Sequence, residues 1–527
     1  MANSFNKFFT SVAEDTLNRV DKGDPRTIPS GDLNIAFPLT EFEPTSKREL
    51  SKIIRNMKNK TSAGLDEFSS VMLRGCEKEL LEPLLHVVNL SLRLGVCPKK
   101  MKSSKVIPLH KQGSKHDLEN YRPISLVSTF SKVIEKVVHM RICEHLQKNS
   151  IQLREQHGFL SKKSTLTALV ELVEYIIDKL EEGHSVTGVY LDLSKAFDCL
   201  GHELILAKLS KLGFRDTAWN WFSNYLQDRD QLVELRHFDN KADHLLQVKS
   251  APHYQGRSTG TTLSLLSSSI SAEDLEIKGY IALGLAMDYC NGNDLVFNET
   301  KTKQLVMGSK RDTISEFPGL QLVESTKHLG IVIDGKLSWV QHLNILCGKL
   351  SSGIFALRRV KSVSNIEAVK ITYFSIFESH LRYGVTLWGA ASQLHLERVL
   401  IIQKKALRIM ADLEWNESCR EHFKRWRILT VVNIYILEVI ILACKKSIPR
   451  GEDIHQHNTR FAHNFILPSH NSRRFEMKPT YAGARLFNLL PEELKRTDPK
   501  ALKGKLYEWL LQRPFYSVKE FMDWANC

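Results

Sequence analysis

An α+β fold is what this sequence predicts. Helical-period runs with capping signals dominate, and short strand-like runs interrupt them. No regular βαβ repeat orders the two. The composition is that of a packed protein, 43% hydrophobic and 25% charged. Its 527 residues suffice for roughly two to four domains.

The elements follow in order. Residues 21–44 are rich in Pro, Gly and Asp and read as a linker or irregular lead-in. Ser46 with Glu49 forms a capping box, so a helix starts there and ends near Lys58. Phe130, Val133, Ile134, Val137, Val138 and Ile142 share one face of a second helix. Ser164 opens a third, with Leu166, Leu169, Val170, Val173, Ile176, Ile177 and Leu180 inward and Gly183 as its stop. Val189 and Leu191 then alternate with Tyr190 and lead to a carboxylate, Asp192, which predicts a short strand with an acid at its end. By itself that acid is as well explained as a turn cap. A helix runs from about His202 to Leu212 and stops at Gly213. Ser271 and Asp274 form an N-cap signature ahead of a helical pattern over 275–289. HLGIVID, residues 328–334, reads as a strand, and 368–383 and 394–412 read as helices. Past residue 360 the chain is mostly helix with Arg and Lys on the polar faces. Residues 428–444 are strongly apolar but carry Asn433 and Glu438. A carboxylate at mid-bilayer costs about 2.5–3.5 kcal/mol, so a buried helix is expected there and no membrane span.

Charge and cysteine usage narrow the function. Lys plus Arg number 73 against 59 Asp plus Glu, a net +14, which favours a polyanionic partner. Residues 99–115 hold six lysines and no acid. Lys99, Lys100, Lys102 and Lys105 are the candidate nucleic-acid contacts, with a solvated loop as the alternative. CREHFKRW, residues 419–426, offers phosphate contact and stacking, or else an ordinary amphipathic helix. Nine cysteines stand singly without a CxxC, and MANSFNKFFTSV lacks a signal peptide's apolar run. Both point to an intracellular protein, nuclear or cytoplasmic and not secreted. Cys419 and His422 have ligand spacing but no second pair, so a zinc site is not expected.

Three segments carry a resemblance. Residues 189–198 read VYLDLSKAFD, residues 120–126 read NYRPISL, and residues 297–301 read FNETK. In this order and rough spacing they resemble the reverse transcriptase of non-LTR (LINE, jockey-like) retrotransposons, and the likeness runs from about Ser4 to beyond Leu429. It implies a right-hand polymerase: a lead-in over 1–44, fingers and palm over 45–340, and a helical thumb-like and C-terminal region over 341–527. It implies RNA-directed DNA synthesis with RNA template, DNA primer or target and deoxynucleotides as partners. Mg²⁺ is the implied cofactor, two ions activating the 3′ hydroxyl and steadying the leaving pyrophosphate. In that scheme Asp192 and the backbone carbonyl of Leu193 ligate metal, and Lys301 protonates the pyrophosphate. Lys111 and Arg122 hold the triphosphate, Phe197 excludes a ribose 2′ hydroxyl, and Gln255-Gly256 matches the family's Pro-Gln-Gly-Ser segment. Gln156-His157-Gly158-Phe159 resembles a template-contacting segment, although Leu160 stands where the family usually has Arg. Nothing in the sequence corresponds to the family's endonuclease domain, so target nicking is not expected of this chain.

The sequence also departs from the family. It contains no Asp-Asp dipeptide, so the aromatic-Ala-Asp-Asp hairpin that supplies the other metal ligands is missing. Only 14 residues separate Gly256 from Ser271. A mean helix of about 11–12 residues and a mean strand of about 5–6 do not both fit there. The expectation is a deletion near 257–267, an irregular stretch over 257–269, and a damaged palm sheet in which the Asp192 strand loses a neighbour. Glu273-Asp274 could replace the lost pair, but a helix cap is the better reading. Asp198 could also serve, and again capping is favoured. The sequence therefore reads as a reverse transcriptase that has lost catalysis. The alternative is a relic or co-opted protein that binds RNA without polymerising it. A group II intron maturase shares the palm logic but fits HLG at 328–330 and Trp388-Gly389 less well.

Overall fold

The computed structural model describes residues 1–17, 35–152, 155–194, 199–239, 242–252, 261–454 and 462–526. Phe197, Asp198, Gln255, Gly256 and the first part of the expected deletion, 257–260, lie outside them. The chain divides into two compact units. One comprises Met1–Arg154, Leu191–Leu263 and Leu283–Lys301, and the other Glu155–Tyr190, Ser264–Ala282 and Thr302–Cys527.

The first unit is built on a four-stranded sheet in the order Tyr121–Val127, Ser104–His110, Asp230–Asp239, Ala242–Pro252. The outer pairs are antiparallel and the middle pair parallel. Parallel pairing ends at Val106. Beyond it Pro108 faces Pro123, where neither strand has an N–H to give a further neighbour. Among the described residues no third strand pairs with the end carrying Leu109 and Arg122, next to Lys111. A helix over Ala2–Leu17 buries Phe5 against Val106 and Val233, and Gln231 donates to Asn6 Oδ1 at 2.9 Å. A separate core joins Leu50, Ile54, Leu73, Val88, Val133 and Trp221. Ser46 caps the expected helix: it accepts from the Glu49 N–H, and the helix runs Lys47–Asn56. The second expected helix is Thr129–Lys148, with Val133, Ile134, Val137 and Val138 buried.

The second unit is mostly helix. Its helix Thr165–Glu181 is capped by Ser164 and buries Leu169, Val170, Val173, Ile176 and Ile177. An acidic edge of this helix fixes the chain near its end. Glu174 accepts the Thr480 N–H at 2.8 Å, Asp178 pairs with Lys478 at 2.6 Å, and Glu181 accepts the Ser472 N–H at 3.1 Å. Burial pushes the Glu174 carboxyl up, and the Thr480 bonds oppose that shift. The apolar segment over 428–444 becomes the helix Val431–Lys445, buried along nearly its whole length as expected. Gly483 permits the close approach of the helix Pro479–Asn488, because a Cβ there would meet the Val439 carbonyl oxygen at 2.1 Å. No single helix among the described residues is long and apolar enough to cross a membrane.

Two expectations about strands are corrected. HLGIVID is not one strand but a hairpin, Ser325–His328 with Ile331–Asp334. Leu329 and Gly330 both take positive φ, 46° and 86°, which turns the chain in two residues. Residues 261–269 are not irregular either. Thr261–Ser269 is a strand in the sheet ordered Thr261–Ser269, Ser185–Ser194, Lys303–Met307, Gln321–Leu322. The Asp192 strand thus keeps a neighbour on each side, and the expected damage to the sheet is absent there. The polar composition is tolerated because its hydroxyls find partners: Ser264 Oγ meets His328 Nε2 at 3.0 Å, and Ser268 Oγ meets the Tyr175 hydroxyl at 3.3 Å. The expected α+β class stands.

Candidate active site

Asp192 stands in the strand Ser185–Ser194, which starts earlier and ends two residues later than the sequence pattern suggested. Val189, Leu191 and Leu193 are buried, but so is Tyr190 on the opposite face. The strand is therefore covered on both sides, and Asp192 is its half-buried polar exception. Strand Val296–Phe297 pairs antiparallel with its end, Phe297 opposite Leu193. The Asn298 N–H then donates to the Asp192 carbonyl at 2.8 Å. A tight turn follows: Thr300 Oγ1 donates to Asn298 Oδ1 at 2.8 Å, and the Lys301 N–H to the Asn298 carbonyl at 3.1 Å. This turn carries Lys301 Nζ to 3.4 Å from Asp192 Oδ2.

Two more cations come from the four-stranded sheet. Arg122 lies opposite Leu109, and the Lys111 N–H donates to the Asn120 carbonyl at 2.8 Å. Gly113, at φ +83°, makes the turn between them against the Asn120 side chain. The Lys111 ammonium is held below the usual lysine range by burial first, then by the charges of Arg122 and Lys301. Asp192 opposes that shift. Lys111 thus feels Arg122, Lys301 and Asp192, and of these Asp192 pairs directly with Lys301.

That set suits a polyanion and does not suit a pair of Mg²⁺ ions. Hard divalent ions need several oxygen donors. Among the described residues no three His, Cys, Asp or Glu side chains come together to hold a metal. Asp192 instead faces the Lys301 ammonium, and its charge is also felt by Lys111. Asp274, another acid considered, accepts from Ser269 Oγ at 2.6 Å and pairs with Lys278 at 2.6 Å, both local partners.

The basic residues expected to meet nucleic acid divide. Lys99 and Lys100 are exposed. Lys102 is only 4% exposed, which corrects its assignment as a phosphate contact. Lys105 is corrected likewise: it turns inward and pairs with Glu234 at 3.1 Å across the parallel strands. The segment over 419–426 forms the amphipathic helix Arg420–Trp426. Arg420 there binds Glu520 at 2.8 Å and lies over the Tyr516 ring, Lys424 pairs with Glu421, and Arg427 beyond it pairs with Glu508. Sequence reading missed the partners of Arg420 and Arg427 because they arrive from residues 508–520, far along the chain.

The reverse transcriptase (RNA-dependent DNA polymerase) family matches residues 109–276. The chain carries a reverse-transcriptase domain. It is 23% identical over 491 residues to the probable RNA-directed DNA polymerase from transposon BS of Drosophila melanogaster, covering 85% of this chain and 52% of that protein. To the probable RNA-directed DNA polymerase from transposon X-element of the same species it is 26% identical over 424 residues, 73% of this chain and 45% of the relative. To the RNA-directed DNA polymerase from mobile element jockey it is 22% identical over 415 residues, 71% and 44%. These similarities support the resemblance to the reverse transcriptases of non-LTR retrotransposons. The chain spans about half the length of the curated relatives it matches.

Proposed function

We propose that this chain is the reverse-transcriptase portion of a non-LTR retrotransposon protein that retains its polyanion-binding surfaces and has lost nucleotidyl transfer. Its partners would be an RNA template and a DNA primer or target, in a reducing compartment, nuclear or cytoplasmic. The eight cysteines among the described residues are all thiols, which fits such a compartment. One observation carries the reading: the carboxylate that should hold Mg²⁺, Asp192, is paired with Lys301, in a sequence without an Asp-Asp pair. Loss of metal ligands forfeits several kcal/mol of transition-state stabilisation, and about 4 kcal/mol is roughly a thousandfold in rate.

The test is primer extension on an RNA template with Mg²⁺ and deoxynucleotides. Extension should not exceed background, and Asp192→Ala should change nothing. Mg²⁺-dependent extension that disappears in Asp192→Ala would overturn the proposal.

A further inference from the structure

The strand Thr261–Ser269 lies at the edge of its sheet. Ser185–Ser194 pairs with it on one side, and among the described residues no strand pairs with it on the other. Alternate N–H and C=O groups of such an edge point outward, a template for another chain. Charged side chains and proline commonly blunt an edge. Residues 261–270, TTLSLLSSSI, hold no charged residue and no proline. The edge is therefore open to a further strand.

Its side chains show which strand would fit. Residues 264–269 belong to the second unit. Ser264, Leu266 and Ser268 share the inner face. Ser264 Oγ meets His328 Nε2, Ser268 Oγ meets the Tyr175 hydroxyl, and Leu266 packs against the core. Leu266 also fills the space beside Gly188, where a Cβ would meet its Cδ2 at 3.2 Å. This inner face reads Ser-Leu-Ser, the same in both directions about Leu266. Leu265 and Ser267 alternate onto the other face and are half-exposed. An antiparallel copy related by a two-fold axis at Leu266 sets Leu266 opposite itself, Ser264 opposite Ser268, and Leu265 opposite Ser267. On the inner face hydroxyl then meets hydroxyl and leucine meets leucine, and no charge is desolvated. A charged strand from another protein finds no counter-charge in residues 261–270.

We propose that this edge accepts the same strand of a second copy of the chain, antiparallel about a two-fold axis at Leu266, so that two sheets join into one. The symmetry closes on two copies, so no larger species forms. One strand pair buries less than about 1,200 Å² in total, the range of transient contacts, and the dimer is accordingly weak. The net charge of +14 on each chain opposes association, so salt strengthens the dimer by screening. Neither catalysis nor metal binding enters the argument.

The experiment is sedimentation velocity on the full chain, freed of nucleic acid by nuclease, from about 1 to about 100 µM. A monomer–dimer equilibrium with Kd of about 10 µM is expected. It should tighten about threefold between about 0.1 and about 0.5 M salt. Leu265→Lys with Ser267→Lys sets lysine opposite lysine twice and should weaken the dimer about tenfold or more. Leu265→Glu with Ser267→Lys sets opposite charges at the same places and should return the dimer to within about threefold of the wild type. Circular dichroism confirms that each variant is folded. A chain that stays monomeric throughout would overturn the inference. So would a dimer that survives the paired lysines, one that the opposite charges do not restore, or one that salt dissolves.

Discussion

Two buried histidines should make the second unit acid-sensitive. His328 is 3% exposed, its Nε2 meets Ser264 Oγ at 3.0 Å, and its ring packs 4.9 Å from Tyr190. Burial pushes it from 6.5 down to about 4. His342, 6% exposed, accepts the Val332 N–H on Nδ1 at 3.4 Å, so that nitrogen carries no proton. Burial, helped by the charge of Lys349, pushes it from 6.5 down to about 4 as well. A histidine with a depressed folded value binds fewer protons folded than unfolded. Its contribution is therefore intact above the unfolded value and is lost as pH falls from 6.5 toward 4. At pH 5 each should cost about 2 kcal/mol, about 4 together. The assay is urea unfolding followed by circular dichroism at pH 7 and pH 5. It compares the wild type with a His328→Gln, His342→Gln double variant, since glutamine keeps a hydrogen-bonding amide. The variant should lose about 4 kcal/mol less than the wild type over that interval. Equal losses would show that neither ring is buried in its neutral form, and the packing of the hairpin against the helix Val340–Val363 would have to be different.

Affinity for single-stranded RNA should fall with salt. Neutralising exposed Lys99 and Lys100 should reduce the log–log slope by about 0.7 for each phosphate that these lysines meet. Lys102→Gln and Lys105→Gln, at positions turned inward, should leave that slope unchanged, and a slope that follows these two instead would reverse the assignment. Gly483→Ala should lower thermal stability by about 3 kcal/mol, because its Cβ would press on the Val439 backbone, which has no side chain to rotate away. An unchanged melting temperature would place those two helices farther apart.

Helices were legible in this sequence wherever a cap and a one-sided apolar stripe coincided, as at Ser46 and Ser164. Strands were read less well, for identifiable reasons. Polar residues over 261–269 argued against a buried strand, yet pairing beside the Asp192 strand and partners for Ser264 and Ser268 satisfy that polarity. Leu329 is an unexpected residue for a positive φ, so the turn within HLGIVID carried no signal. The site was legible in part. Asp192, Lys111, Arg122 and Lys301 were each singled out, but no local pattern told that Lys301 would close on Asp192. That approach depends on the pairing of Leu193 with Phe297, more than one hundred positions apart. The inward turn of Lys102 and Lys105 was equally invisible, since a lysine run looks the same whichever way each stem points.

A missing carboxylate pair need not weaken this fold. Acids held close together repel one another, and a protein keeps such a group at a cost in stability that a bound metal offsets. When the pair is absent that repulsion is absent too. The remaining acid then needs only one counter-ion to be satisfied, and Lys301 provides it from the adjoining turn. Meanwhile the strand that holds Asp192 keeps its neighbours, and Val189, Tyr190, Leu191 and Leu193 stay buried. Hydrophobic burial, the larger source of stability, is thus intact around Asp192. Sheet integrity therefore says nothing in favour of catalysis in this chain. The charge balance at Asp192 is the feature that tests the proposed loss of nucleotidyl transfer, and among the described residues that carboxylate stands 3.4 Å from the Lys301 ammonium.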